Sequence, residues 1–260
     1  MKEKIKKVLA KLGLLENIRY HQLYRIYRSS VYRKAYYGLF NFFNQLLGKK
    51  NKLIFDVGAN VGDYTRIFSK LSNKVLAIEP DEQNNFVLHK RFSGNKKITI
   101  VPKALAASTG EAKFFIQAYG SGFNTLSSKW VTILGDKDHS RFGSIEFTGS
   151  KEVETTTLDH LISQHGKPDF IKIDVEGFEW EVIKGLTQPV QLISFECNLP
   201  EFLEESISIV GYLHKIDSKY RFNYIEEYCF LLPEFIEAEA MIAKLKESSI
   251  RYIDIFCKLS

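Results

Sequence analysis

Four acidic residues lie at or just past the ends of short apolar segments, and the chemistry of this chain is expected there. Asp56 lies in LIFDVGAN, Glu79 in VLAIEP, Asp174 in DFIKIDVEG and Glu196 in LISFECN. The carboxyl ends of parallel strands share one edge of a sheet, and ligands bind in the crevice along that edge. Four carboxylates at such an edge suit a ligand that is cationic or rich in hydroxyl groups.

The first of these segments leads into a glycine-containing turn. Gly58, Asn60 and Gly62 allow a ligand close to the backbone, and N–H groups at the start of the next helix can face an anion. The turn is not a dinucleotide-binding fingerprint, because that pattern needs glycine where the chain has Asn60 and Asp63. It suits a ligand that carries a carboxylate beside a cation, with Asp56 supplying negative charge. The alternative is a tight turn that only packs a helix on a strand.

The second acid, Glu79, follows Gly58 by 21 residues. In nucleotide-binding α/β folds, an acid about 20 residues after the glycine turn accepts hydrogen bonds from a ribose diol. Glu79 is therefore a candidate for binding a ribose. The alternative is a solvated acid in front of a helix that starts near Pro80.

The elements that must position these residues follow a regular alternation. From Lys52 onward, short apolar runs alternate with helical patterns, which predicts a parallel sheet with crossover helices. The strand-like segments are 53–60, 75–80, 98–106, 169–177, 192–198, 221–227 and 251–259, and the helical segments are 64–71, 83–92, 178–186, 201–213 and a stretch after Pro233.

An inserted region at about 107–157 interrupts this alternation. The segments AKFFIQ, SIEFTG and KEVETTT within it are typical of short extra strands. The polar run YGSGFNTLSSKW at 119–130 is a long loop, and long loops in compact domains often cover functional sites. We therefore expect this region to cover a site at the sheet edge.

The segments DVGANVGDYT, AIEPD, TLD and KIDVEGFEWEVIKG together resemble the class I S-adenosylmethionine-dependent methyltransferases and, within them, the FkbM-type family. The resemblance covers about residues 52–200. It implies an α/β, Rossmann-like fold with a seven-stranded, mostly parallel sheet whose last strand is antiparallel. It also implies O-methylation of a glycan, sugar or natural product, with S-adenosyl-L-methionine as donor. The residues then expected to bind the donor are Asp56, Gly58, Asn60, Gly62, Glu79 and Asp81.

Methyl transfer to oxygen requires a held acceptor and a group that removes or weakens its proton. Asp174 is the first candidate for the general base. Glu176 is the second, because it lies on the same side if the strand stays extended. Lys172 is interpreted as a lysine whose stem covers a helix while its amine reaches solvent. The inserted region is expected to shape the acceptor pocket.

A metal-dependent version of this mechanism rests on Asp174, Glu196 and Asn198. Their placement resembles the acid and amide ligands of the Mg²⁺-dependent O-methyltransferases, in which the cation lowers the pKa of a substrate hydroxyl. This chain has Glu-Cys-Asn at 196–198 rather than an adjacent Asp-Asn pair. Mechanisms with and without Mg²⁺ therefore both stay open.

The basic residues are concentrated near the N-terminus. Residues 1–50 contain 12 Lys or Arg and 2 Glu, a net charge of +10, and the other 210 residues contain 24 and 29, a net charge of −5. Apolar and aromatic residues recur there at helical spacing, so 1–50 is predicted to be a basic, aromatic helical extension of a methyltransferase domain at 51–260. It could pack on that domain, bind an anionic membrane surface or contact nucleic acid.

Two rival functions follow from this extension. One is an RNA methyltransferase, although no RNA-binding module is recognisable and a nucleic-acid partner is disfavoured. The other is a non-catalytic membrane-surface adaptor on a degenerate methyltransferase fold, which predicts a broken donor site. The 3 cysteines show no pairing pattern, and we expect neither a signal peptide nor a membrane-spanning segment. The expected location is cytoplasmic, with peripheral binding at the inner membrane face as the membrane alternative.

Overall fold

The computed structural model describes residues 29–48, 51–118, 120–136, 142–226 and 228–260. The helices are α1 (Ser30–Leu47), α2 (Asp63–Leu71), α3 (Glu82–Arg91), α4 (Ser128–Gly135), α5 (Leu158–His165), α6 (Glu179–Lys184), α7 (Leu203–Ile216) and α8 (Ala238–Glu247). The strands are β1 (Asn51–Val57), β2 (Ser72–Ile78), β3 (Ile98–Val101), β4 (Ala104–Leu105), β5 (Gly110–Ile116), β6 (Gly149–Thr156), β7 (Phe170–Ile173), β8 (Leu192–Asn198), β9 (Tyr220–Glu226), β10 (Cys229–Phe230) and β11 (Tyr252–Leu259).

The main sheet has the order β10-β9-β11-β8-β7-β1-β2-β3. Strand β1 pairs in parallel with β2 and β7, and β7 pairs in parallel with β8. The last strand, β11, is antiparallel to both of its neighbours. The predicted α/β fold and antiparallel last strand are therefore confirmed. The sheet has eight strands rather than seven, because the chain turns at Tyr228 (φ +70°) and adds the two-residue β10 beside β9.

The central strands are apolar on both sides because helices cover both faces of the sheet. Phe170 of β7 faces α1, where the Phe43 ring lies 5.7 Å from it, centroid to centroid. The same Phe43 ring lies 5.0 Å from Phe68 of α2. Helix α1 thus shares the hydrophobic core of the domain, and the predicted domain boundary at residue 50 stays a prediction.

The rest of the predicted N-terminal extension, residues 1–28, lies outside the described residues. Membrane and nucleic-acid binding by that segment therefore stay predictions. None of the helices in the described part of the chain combines the length and the apolar character that a membrane crossing requires.

Strands β5 and β6 of the inserted region form a second, three-stranded sheet with β4, in the order β4-β6-β5. Helix α4 of the same region packs against Phe202 through Trp130 and Leu134. The strand predicted at SIEFTG (144–149) is wrong, because residues 144–148 are irregular and β6 starts at Gly149. Gly149 pairs with Ile116, the last residue of β5, so the preceding residues have no strand to pair with. The last residues of the predicted loop at 119–130 belong to helix α4, which begins at Ser128. The Ser127 side chain caps this helix by accepting a hydrogen bond from the Trp130 N–H.

Candidate active site

The turn between β1 and α2 brings two strand ends unusually close together. Gly58 has a φ of +78°, and a Cβ atom there would lie 1.7 Å from the carbonyl oxygen of Asp174. Only glycine permits this approach, because it has no Cβ and accepts a positive φ. The N–H groups of Gly58 and Ala59 both donate to the carbonyl of Ile78, 3.0 Å away, so the turn is fixed to β2 as well.

Glu79 at the end of β2 is held by the turn and by its own loop. One carboxylate oxygen accepts from the N–H of Asn60 at 2.8 Å, and the other accepts from the N–H of Asp81 at 2.9 Å. Burial raises the pKa of Glu79 to about 7, although the two N–H donors act in the opposite direction. Each carboxylate oxygen has further acceptor capacity. The Glu79 carboxylate is therefore oriented and still able to accept hydroxyl donors.

A cavity lies against the ends of β1, β2 and β7, and we call it the first cavity. Of the predicted donor residues, Gly58, Asn60 and Glu79 line it. Asn84 lines it too, and its amide oxygen is buried with no hydrogen-bond partner in the described part of the protein. An unsatisfied buried acceptor is costly unless a ligand or water completes it. The first cavity thus fits a ligand whose hydroxyl and amino groups can donate hydrogen bonds to Glu79 and Asn84.

Asp56 is predicted to bind the donor, but it does not line the first cavity. It is buried behind the turn, where it accepts a 2.5 Å hydrogen bond from the Thr65 hydroxyl. Burial raises the pKa of Asp56 to about 6, against the opposing effect of Lys172. The residue stabilises the start of α2 and places a carboxyl group behind the turn.

Gly62 and Asp81 also lie outside the lining of the first cavity. Gly62 precedes α2 with a φ of +83°, and a Cβ atom there would clash with Phe92 and Leu88. It therefore lets α2 pack against α3. Asp81 caps α3, where one oxygen accepts from two backbone N–H groups, and its other oxygen accepts from the Asn124 amide at 2.8 Å.

The loop before α4 covers the first cavity, fixed at Asp81 on one side and at Glu176 on the other. The Thr125 hydroxyl donates to the Glu176 carbonyl at 2.8 Å, and the Trp130 indole N–H donates to the Glu176 carboxylate at 3.1 Å. Asn124 and Thr125 line the first cavity. The inserted region was expected to shape the acceptor pocket, but the structure places this loop beside the predicted donor residues.

Lys172 was interpreted as a solvent-reaching lysine, and that interpretation is wrong. Its side chain is 5% exposed, and its ammonium lies 2.7 Å from Asp174 Oδ2 and 4.1 Å from the centroid of the Tyr64 ring. Burial would lower the pKa of Lys172, but the Asp174 carboxylate, with Tyr64, Asp254 and Asp56, keeps it above its usual value. The spacing of Lys172 and Asp174 predicts this contact, because residues two apart on a strand lie on the same face.

Three carboxylates meet at the ends of β7 and β8, and we call them the acid group. One oxygen atom each from Asp174, Glu176 and Glu196 lies within 4.8 Å of the others. Glu176 reaches the acid group although its φ is +56°, so the chain does not stay extended as expected. The predicted ligand set changes as well, since the Asn198 amide N–H donates to Glu196 at 2.7 Å and Glu176 supplies the third carboxylate.

The acid group is strongly desolvated. Burial, with the charge of Asp174 second, raises the pKa of Glu176 to about 8. The same two causes, in the same order, raise the pKa of Glu196 well above its usual value. Near neutral pH, Glu176 therefore holds a proton, and the ammonium of Lys172 lies against the Asp174 carboxylate.

These shifts predict how stability depends on pH. A carboxyl group with a raised pKa binds more protons folded than unfolded, so stability is present at low pH and is lost as pH rises from about 5 to about 8. We expect Glu176→Gln to raise the thermal midpoint at pH 8.5 by about 3 °C or more, with little change at pH 5. Scanning calorimetry of the ligand-free protein measures this.

The matched control is Glu111→Gln, which removes an exposed carboxylate of the inserted region. It should leave the pH profile of the thermal midpoint unchanged. A midpoint in Glu176→Gln that follows wild type at every pH would show that Glu176 is not the desolvated group described here.

Comparison with known proteins places this arrangement in a family. Residues 56–245 match the family model described as Methyltransferase FkbM domain. The hexuronic acid methyltransferase AglP of Haloferax volcanii is 28% identical over 151 residues, which cover 56% of this chain and 55% of AglP. The 2-O-methyltransferase NoeI of Sinorhizobium fredii is 28% identical over 148 residues, which cover 54% of this chain and 59% of NoeI.

A solved structure shares the fold. The methyltransferase FkbM from Methylobacillus flagellatus KT superposes with a TM-score of 0.51 at 16% identity, over 85% of this chain and 47% of that one. This chain spans less than two thirds of the length of each of these three proteins. The family match itself takes in most of the chain, including every residue that lines the first cavity. This chain belongs to the FkbM family of methyltransferase domains.

Proposed function

We propose that this protein transfers a methyl group from S-adenosyl-L-methionine to a hydroxyl group of a saccharide. One observation carries the proposal: a single cavity brings together the glycine turn at Gly58, the oriented carboxylate of Glu79 and the carboxylate of Asp174. The names of AglP and NoeI, a hexuronic acid methyltransferase and a 2-O-methyltransferase, support a sugar hydroxyl as the acceptor.

The residues of the first cavity suit the parts of this donor. Glu79 would accept hydrogen bonds from the ribose hydroxyls through the capacity that Asn60 and Asp81 leave free. The turn at Gly58 and Asn60 would approach the amino-acid end closely. Asn84 would use its unpartnered amide oxygen on a donor N–H or O–H group. When bound, S-adenosyl-L-methionine supplies an electrophilic methyl group on a sulfonium.

Asp174 is proposed to accept the proton of the acceptor hydroxyl. It lines the first cavity at the sheet edge, and its other contact is the Lys172 ammonium, 2.7 Å away. Lys172 fixes the orientation of this carboxylate and stabilises its charge. The protonated Glu176 keeps further negative charge away from Asp174 until the pH approaches 8.

A divalent cation at the acid group is a competing proposal for activating the hydroxyl. Carboxylate oxygens within 4.8 Å of one another are ligands that hard cations prefer. Each carboxylate of the acid group already accepts a hydrogen bond from a nitrogen donor, however. The three donors are Lys172, Trp130 and Asn198. We therefore favour proton transfer to Asp174 over a bound Mg²⁺.

A labelling assay tests the proposed function. The purified chain is incubated with S-adenosyl-L-[methyl-³H]methionine and oligosaccharides that contain hexuronic acids or neutral hexoses. We expect label in the saccharide that survives mild alkali, because a methyl ether is stable there and a methyl ester is not. Parallel reactions with EDTA or added Mg²⁺ should give equal rates.

Three results would contradict these proposals. Label released by alkali would place the methyl group on a carboxylate. Label in total RNA but not in saccharides would favour the RNA methyltransferase. Loss of turnover in EDTA with recovery in Mg²⁺ would favour the metal-dependent mechanism and remove Asp174 as an unassisted base.

A further inference from the structure

A second cavity lies between helix α1 and strands β8, β9 and β11. It opens at the same edge of the sheet as the first cavity, because β11 runs antiparallel and starts there. The register places Asp254 of β11 beside Glu196 of β8, and Asp254 lines the second cavity. The second cavity therefore reaches the neighbourhood of the acid group.

The two members of one ion pair line different cavities. Asp174 lines the first cavity and Lys172 lines the second, and their charged atoms are 2.7 Å apart. Tyr252 also lines the second cavity, and burial followed by the charges of Glu196 and Asp254 raises the pKa of its phenol. A molecule in the second cavity could thus place one group against the Lys172–Asp174 pair.

The lining of the second cavity combines aromatic rings with a few polar groups. Tyr64, Tyr228 and Tyr252 contribute rings, and Lys172 and Asp254 contribute charges that converge near the ion pair. Small-molecule sites are mostly apolar with a few placed polar groups that fix orientation. A sugar ring fits such a lining, because its C–H faces contact aromatic rings while its hydroxyls bind the polar groups.

The walls of the two cavities come from different parts of the chain. All residues that line the first cavity lie within the family match at 56–245. Most residues around the second cavity lie outside it, on α1 and on the segment 250–256. Members of a family that use the same methyl donor are expected to share the residues of the donor site. Their acceptor sites are expected to differ, because one fold serves many substrates. The walls of the second cavity thus lie largely outside the part of the chain that the family model matches.

We propose that the second cavity binds the saccharide acceptor, with the reacting hydroxyl at the Lys172–Asp174 pair and helix α1 as a specificity-determining wall. This inference rests on the proposed function, since it names the acceptor site of that reaction. It also gives α1 a function that the family match does not include.

A cavity-filling variant tests the inference. Ala35 of α1 lines the second cavity, and Ala35→Trp would fill part of it. Gln45→Trp is the matched control, because Gln45 lies on the same helix, is exposed and does not line either cavity. Saturation-transfer difference NMR would report binding of two probes, methyl β-D-glucopyranoside and methyl β-D-glucuronide. Calorimetry would report binding of S-adenosyl-L-methionine by the same samples.

We expect at least one probe to bind wild type and Gln45→Trp, and its affinity to fall about tenfold or more in Ala35→Trp. Donor affinity should stay the same in all three proteins. A saccharide that binds Ala35→Trp as tightly as wild type would overturn the acceptor site, and so would the absence of a signal from both probes in wild type. Failure of wild type to bind the donor would instead contradict the proposed function, so the two failures are distinguishable.

Discussion

Replacing Asp174 with asparagine is expected to lower turnover by about 10²–10⁴-fold, the range for loss of a positioned general base. An asparagine amide has nearly the same shape and can still accept a hydrogen bond from Lys172, but it cannot take a proton. The affinity for S-adenosyl-L-methionine should change little, because Glu79 and the turn at Gly58, which are proposed to bind the donor, are unchanged in this variant. Single-turnover kinetics and calorimetric titration of the same sample would measure both quantities.

Stability must be followed in this variant, because Asp174 is the partner of a buried lysine. Removing one member of a buried ion pair costs about 3–5 kcal/mol, less where a hydrogen bond remains. Thermal melts would show whether Asp174→Asn is folded at the assay temperature. Glu181→Gln, which removes a half-exposed partner of Lys184 on α6, is the control. Full turnover in a folded Asp174→Asn would exclude Asp174 as the base.

Gly58→Ala is expected to damage both the fold and the donor site. The added Cβ would fall 1.7 Å from the Asp174 carbonyl oxygen, and the φ of +78° would strain any side chain. The ends of β1 and β7 must then separate, with a loss in unfolding free energy of about 3 kcal/mol or more. Binding of S-adenosyl-L-methionine should be lost with it. Urea unfolding and calorimetry would measure the two effects.

Gly122→Ala is the matched control in the same cavity. Its Cβ would lie 3.5 Å from the Asn60 amide nitrogen, an ordinary van der Waals contact, and its backbone needs no positive φ. Its unfolding free energy should stay close to that of wild type. Equal stability of Gly58→Ala and Gly122→Ala would mean that the strand ends are not as close as the structure has them.

The sequence predicted the parts of this molecule that depend on local patterns. The central strands and their shared edge could be predicted from four apolar runs, which end in Asp56, Glu79, Asp174 and Glu196. Side chains alternate between the two faces of a strand, and parallel strands have their carboxyl ends at one edge of the sheet. The same period places Lys172 beside Asp174, so the sequence contains the signal for this ion pair. The period does not extend to Glu176, because its positive φ breaks the extended backbone.

The parts that could not be predicted depend on contacts between distant segments. Asp56, Gly62 and Asp81 lie in the turns that were expected to bind the donor. Their spacing does not show that each one contacts another part of the protein instead of the first cavity. The contacts are Thr65 for Asp56, Phe92 for Gly62 and Asn124 for Asp81. The second cavity needs α1 and β11, which are about 200 residues apart, to meet across the sheet. The local sequence pattern of neither segment predicts that the two lie close together.

The central claim is that the first cavity binds S-adenosyl-L-methionine through Glu79. Calorimetric titration of wild type, Glu79→Ala and Glu82→Ala with this donor tests it most directly. Hydrogen bonds to a charged group contribute about 1.5–3 kcal/mol, so Glu79→Ala should bind about 10- to 100-fold more weakly than wild type. Glu82 is three residues away with an 85% exposed side chain, and its replacement should change nothing. Equal affinity in all three proteins, or no binding by folded wild type free of co-purified donor, would contradict the account.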